Sequence, residues 1–178
     1  DKITPSKFDS VLGEGTGAGM IFGNTGGVME AALRTVYRVL EGKEAPADFY
    51  QLRPVRGLSN RKEAEVTIAG KKLRVCILYG TAAAEKFLAE DMNGYHFVEV
   101  MTCPGGCISG AGQPDCGSVP VSDVVRKKRI QSLYQADEQA ERRNSMDNPE
   151  IGTIYHEFFK EPLSMLSEKL LHTTYKGK

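Results

Sequence analysis

Residues 99–114 read Glu99-Val-Met-Thr-Cys103-Pro-Gly105-Gly106-Cys107-Ile-Ser-Gly110-Ala-Gly112-Gln-Pro114. The spacing predicts an apolar strand over 96–101 that breaks at once into a loop with two thiols and four glycines. Glycine lets a backbone come close to a bulky partner and adopt conformations closed to other residues. Two cysteines four apart, in a loop at the carboxyl end of a buried strand, can aim soft sulfur ligands at one object. Thiolates select zinc, Cu(I) or iron–sulfur clusters.

Blander readings compete with this. Free cysteines also pack as small buried residues. Zinc usually takes two Cys-x2-4-Cys pairs, or histidines at matching spacing. Here only Cys116 lies nearby, and His96 sits inside the expected strand. A radical-enzyme cluster loop would need a third cysteine at position 110, which is Gly.

Working outward, residues 95–101 follow a helix expected over 81–92, with Ala84, Phe87, Leu88 and Met92 facing inward. Before it lie two strands, 65–68 and 73–79, joined at Ala69-Gly70-Lys71 as a hairpin. The second strand is mostly apolar and rich in β-branched and large residues, and so expected to be central, with Cys76 as core packing. Strand, helix, strand over this length is a βαβ unit. It places Cys103 just beyond a strand's carboxyl end, where open α/β sheets bind ligands.

Further upstream, Met29, Leu33, Val36, Tyr37 and Leu40 recur at helical spacing, and Gly42 stops that helix. Met20-Ile21-Phe22 is expected as a short strand and 23–27 as a turn that opens the helix. Such a turn offers unpaired N–H groups to an anion, or is simply tight. Gly13 to Ala18 satisfies G-x-G-x-x-A, but no strand precedes it and no helix opens directly after it, so nucleotide binding is a weak alternative. Downstream, 123–141 reads as a charged helix whose Arg126-Lys-Lys-Arg129 run is expected on a solvated face. Two further helical stretches follow, 150–160 with Ile151, Ile154, Tyr155 and Phe158 on one side, and 164–171.

The chain has 178 residues, enough for a proper core, and 23 basic against 23 acidic residues. A chain with no basic excess is a poor nucleic-acid binder. It has no apolar run of eighteen residues, so no membrane span is expected. The four cysteines, 76, 103, 107 and 116, do not form a secreted disulfide framework, which points to the cytoplasm, with the periplasm still open. The chain starts at Asp1 and not Met, so a processed or excised piece is expected.

The wording of 99–114 closely resembles the third cluster-binding motif of the iron-only, or [FeFe], hydrogenases, E-x-M-x-C-x-G-G-C-x-x-G-G-G-x-P. The one departure is Ala111. Residues 17–35, GAGMIFGNTGGVMEAALRT, resemble a second family segment, with Asn24 where the family often has a small apolar residue. The tail, with Arg129-Ile-x-x-Leu-Tyr134-x-x-Asp137, Asn148-Pro149-Glu-Ile-x-x-Ile-Tyr155 and Leu170-Leu-His172-Thr-x-Tyr175, resembles the family's C-terminal helical segment, a separate small subunit in some members.

The resemblance implies one lobe of a two-lobed catalytic domain. Its fold class would be α/β, a mostly parallel sheet flanked by helices, over 1–125, with a helical wrap over 126–178. It implies an oxidoreductase that reversibly reduces protons or oxidises dihydrogen at a 4Fe-4S cluster joined to a di-iron subcluster. Cys103 would be a cubane ligand and Cys107 the bridging ligand. Phe22, Gly23 and Met101 would line the pocket, Gly105 and Gly106 would lie against the cluster, and Glu99 would orient the loop by hydrogen bonds. Cys116 is outside the motif and reads as a bystander, and His172 as structural. No residue is singled out as catalytic, because the family's T-S-C-C-P and M-P-C-x-x-K motifs do not occur here. A cubane normally needs four protein ligands. The chain alone is therefore expected to be cluster-free, with an apolar face for the N-terminal lobe or for a homodimer. Ferredoxin or another electron carrier would serve the whole enzyme. The competing class is a sensory or maturation-related homologue.

Overall fold

A computed structural model describes residues 3–6, 14–90 and 92–175. The first glycine of the G-x-G-x-x-A stretch, Gly13, lies outside them. A helix packs on each face of a three-stranded sheet in the order β1-β2-β3. Strands β1 (Arg61–Ile68) and β2 (Lys71–Tyr79) form the expected hairpin, turning through Ala69 and Gly70 at φ 50° and 72°. Strand β3 (Phe97–Met101) pairs with β2 in parallel, from Val75↔Phe97 to Tyr79↔Met101, with α3 (Thr81–Leu88) as the connection. The α/β class holds, but the sheet is mixed, one pairing antiparallel and one parallel, because the hairpin needs only a two-residue turn.

Val75, Cys76, Ile77 and Leu78 are all buried, as a strand covered on both faces requires. Val75 and Ile77 join Met29 and Leu33 of α2 (Gly27–Glu41), together with Val66 and Ile68. Cys76 and Leu78 pack with Phe87 of α3. Burial pushes the Cys76 thiol up, which keeps it an inert core residue. Helix α3 is shorter than expected. Only Phe87 of its four expected inward residues is buried, while Leu88 and Met92 are exposed.

Residues 20–22 are not a strand. Gly17–Ile21 is a short helix, α1, whose Thr16 side chain caps the Gly19 amide. Ala18 and Ile21 are buried and Met20 is exposed, a helical rather than alternating distribution. Helix α4 (Asp123–Gln139) packs on α1, burying Ile130 and Tyr134 beside Ala18, Ile21 and Ile108. The tail continues as α5 (Pro149–Ile154), a π-helical turn Tyr155–Phe159 and α6 (Met165–Leu171). Ile151 and Phe158 are exposed, and Phe159 takes the buried place.

Candidate metal centre

The loop is built by hydrogen bonds that its glycines allow. After β3 the chain turns back on itself, with the Gly106 amide donating to the Cys103 carbonyl at 3.0 Å. Gly105 and Gly106 sit at φ 82° and 100°. A short 3-10 turn, Cys107–Ser109, follows, and the Gly110 amide donates to the Cys107 carbonyl at 3.0 Å. The Cys103 side chain is half-buried and that of Cys107 exposed. One wall of an open hollow of about 310 Å³ comprises Gly23, Cys107, Ile108, Gln113, Arg129 and Leu133. The loop thus brings Cys107 and Gly23, far apart in sequence, to one hollow.

The loop lies on the 23–27 turn. The Thr25 amide donates to the Gly105 carbonyl and the Ile108 amide to the Gly23 carbonyl, both at 3.0 Å. Gly106 lies so close that a Cβ there would stand 2.8 Å from both the Asn24 Cα and the Thr25 amide nitrogen. Asn24 is buried and donates from Nδ2 to the Ile21 carbonyl at 2.7 Å, so it serves the turn rather than the wall of the hollow. Phe22 is 45% exposed and Met101 half-buried.

The turn is braced from below. Glu99 is buried on the α2 side of β3, and its carboxylate accepts from the amides of Gly26 at 2.6 Å and Met29 at 2.7 Å. Glu99 therefore caps the start of α2, meeting two of the orphan amides there. Burial raises its pKa, and the two amides and Lys62 pull the other way. Lys62 is also buried, and its ammonium donates to the Thr25 carbonyl at 2.9 Å, the Thr25 hydroxyl at 3.3 Å and the Gly57 carbonyl at 3.1 Å. Burial lowers its pKa to about 8 against the attraction of Glu99.

From above, α4 reaches down. Arg129 donates from Nη1 to the Ile108 carbonyl at 2.5 Å, and from Nη2 to the Pro114 carbonyl and, at 3.4 Å, to Cys116 Sγ. Arg126 donates from Nε to Ser109 Oγ at 3.2 Å. The expected solvated run is therefore divided. Lys127 and Lys128 are exposed, but the two arginines, three apart, face the loop.

Sequence reasoning missed Lys62 and both arginines. Lys62 shares its parity with Ala64, Val66 and Ile68 on alternating β1, which marks it as inward-facing. His96 accepts the Arg74 amide at Nδ1 (3.1 Å), and His172 is exposed.

Among the described residues, no three His, Cys, Asp or Glu side chains converge to hold a metal ion. Two thiols are half the sulfur donors of a cubane. The donor set therefore fits a shared group. Fold and loop together define an α/β lobe that presents two soft ligands at the carboxyl end of a strand.

A family model described as the iron only hydrogenase large subunit, C-terminal domain, matches residues 1–111. A second, described as the iron hydrogenase small subunit, matches residues 123–178. This chain belongs to the iron-only hydrogenase family. Iron hydrogenase 1 of Clostridium pasteurianum is 39% identical over 98% of this chain and 31% of its own length. The cytosolic Fe-S cluster assembly factor narfl of Xenopus tropicalis is 27% identical over 97% of this chain and 36% of its own length. A solved variant of [FeFe]-hydrogenase HydA1 from Chlamydomonas reinhardtii superposes with a TM-score of 0.71 at 32% identity, over 98% of this chain and 50% of that one. The chain thus spans about a third to a half of the relatives it matches.

Proposed function

We propose that this chain is the C-terminal lobe of an [FeFe]-hydrogenase catalytic domain, holding its share of a 4Fe-4S cluster joined to a di-iron subcluster. The observation that carries the reading is the placement of Cys103 and Cys107 on a braced loop at the end of β3, with only two of the four sulfur ligands a cubane requires. Bound, the iron group supplies the redox chemistry of reversible proton reduction and dihydrogen oxidation.

The chain's own residues bind and orient. Cys103 and Cys107 would hold the iron group by their thiolates, Cys103 as a cubane ligand and Cys107 as the bridging ligand. Phe22, Gly23 and Met101 wall the pocket, and Gly105 and Gly106 let the backbone close on it. Glu99 fixes the turn on which the loop rests. Residues 1–125 form the lobe and 126–178 the helical segment, a division that falls three residues into the second of the two family matches, 1–111 and 123–178.

The missing ligands come from an N-terminal lobe, and electrons from ferredoxin or another carrier. Exposed Phe97 on β3 and the apolar groove that it lines with Leu33 and Val36 support docking of that lobe, with a homodimer through the same face as the alternative. Alone, the chain is cluster-free and inactive. Free thiols at all four cysteines support a cytoplasmic location. No described helix is long and apolar enough to cross a membrane. A second reading, an assembly or sensory homologue that binds a cluster without turning over dihydrogen, is favoured by the likeness to the narfl factor.

The test is iron and sulfide content after anaerobic reconstitution, with and without the N-terminal half, in the parent and in Cys103→Ser, followed by dihydrogen evolution. Iron bound only with both halves, lost in Cys103→Ser and accompanied by dihydrogen, supports the hydrogenase lobe. Bound iron without dihydrogen moves the assembly reading ahead. Stoichiometric iron on this chain alone overturns the shared site.

A further inference from the structure

Helix α4 lies in the segment that matches the small subunit, whereas the sulfur-bearing loop lies in the large-subunit match. The two are joined by the packing of Ile108 with Ile130 and, beyond that, by two arginine side chains. Arg129 holds both ends of the stretch after Cys107, at the Ile108 and Pro114 carbonyls, and touches Cys116 between helix and loop. Arg126 holds Ser109, and its Cδ lies 3.5 Å from where a Gly105 Cβ would stand. Arg129 and Cys107 line the same hollow.

We propose that Arg129 is a positioning residue: its guanidinium, fixed on α4, latches the 107–114 loop at two carbonyls and so sets how Cys107 is presented. Arg126 assists at Ser109. A planar fork can span two carbonyls in a fixed geometry, which a lysine ammonium cannot match. The segment matching the small subunit thereby becomes part of the ligand-presenting apparatus rather than only a wrap around it.

What the loop presents Cys107 to rests on the function proposed above, but the test does not, because it uses the metal-free chain. Alkylation of each cysteine by iodoacetamide is timed by peptide mass spectrometry, alongside amide exchange over 107–114. In Arg129→Gln, amide exchange over 107–114 should rise about tenfold or more, the factor that a hydrogen bond to a charged group is worth, while Cys107, already exposed, should report its altered setting by a changed alkylation rate of either sign. Buried Cys76 should keep its rate. Arg129→Lys, with charge but no fork, should fall between parent and Arg129→Gln. Lys128→Gln, on the exposed side, should leave Cys107 unchanged.

Unchanged Cys107 and loop rates in Arg129→Gln would overturn the latch. So would equal acceleration in Lys128→Gln, which would indicate a general charge effect, or acceleration of Cys76 as well, which would indicate loosening of the whole fold. If Arg129→Gln does not fold, Arg126→Gln is read by the same criteria at Ser109 and Cys107. Loss of iron binding with the latch intact would instead refute the function proposed for the loop, so the two failures are separable.

Discussion

The Glu99 carboxylate and the Gly26 amide meet at 2.6 Å across 73 residues of sequence, tying the strand that delivers the cysteine loop to the turn on which the loop lies. A second bond, to the Met29 amide, completes the cap of α2. Replacing this carboxylate with an amide presents an NH2 group to one of the two backbone donors and removes the anion facing buried Lys62. Glu99→Gln should therefore lower stability by about 2 kcal/mol, since a buried donor loses its partner and the Lys62 ammonium loses a nearby anion. Urea unfolding of parent and variant checks this. An unchanged midpoint would mean that the cap is replaceable.

Lys62 makes the same brace sensitive to alkali. Its folded pKa is about 8, below the ordinary 10.5. Between those values the unfolded chain carries the extra proton, so stability rises with pH across that window. Relative to Lys62→Met, the parent should gain at most roughly 3 kcal/mol from pH 8 to 10.5, at 1.36 kcal/mol per unit. The three oxygen acceptors around the ammonium favour its charged form and reduce this gain. Unfolding free energies of both proteins across the window measure it. Parallel pH slopes would show that Lys62 stays charged in the fold.

Gly106 sits where the loop and the turn touch. An alanine methyl there would meet Asn24 and Thr25 backbone at 2.8 Å, at a φ of +100°. Backbone cannot swing aside as a side chain can, so Gly106→Ala should cost about 3 kcal/mol. Gly112 has a φ of +90° with nothing within 4 Å, so Gly112→Ala bears only the backbone term, about 1 kcal/mol. Thermal unfolding of the pair separates close approach from strain. Equal losses would mean that contact with the turn does not matter.

How legible this site was depended on the range of each interaction. Local rules found the hairpin at Ala69-Gly70 and the end of α2 at Gly42, whose amide bonds back to the Arg38 carbonyl with φ at 66°. The same rules misread Met20-Ile21-Phe22, because three apolar residues in a row cannot distinguish a strand from one turn of helix. Thr16, three residues before Gly19, was the overlooked cap. The placement of Cys103 beyond β3 followed from the strand-helix-strand order. Partners distant in sequence stayed hidden. Nothing local shows that Glu99 ends at Gly26, or that two members of a basic run turn toward a loop thirteen to twenty-one residues earlier.

Asp137 reaches across 103 residues of sequence to join α4 to α2. Its carboxylate takes both terminal nitrogens of buried Arg34 at 2.8 Å and Arg143 Nη2 at 2.6 Å, while Glu30 holds Arg34 from within α2 at 2.9 Å. Gly17 of α1 lies against it, since a Cβ there would overlap the carboxylate. Burial alone would raise the Asp137 pKa, but the bonds from Arg34 and Arg143 hold it below the usual 3.8. A depressed carboxylate stabilises the fold above its unfolded pKa and loses that contribution as pH falls through the folded value. The parent should therefore lose stability below pH 3.8 more steeply than Asp137→Asn. At neutral pH the variant should be weaker by about 3–5 kcal/mol, because Arg34 is left buried with half its partners. Acid unfolding followed by circular dichroism tests both parts, and an acid slope unchanged by the substitution would remove Asp137 from the account. Because the same helix carries Arg126 and Arg129, Asp137→Asn should also quicken amide exchange over 107–114, and slow exchange there in a destabilised Asp137→Asn would show that the latch outlasts the joint beneath it.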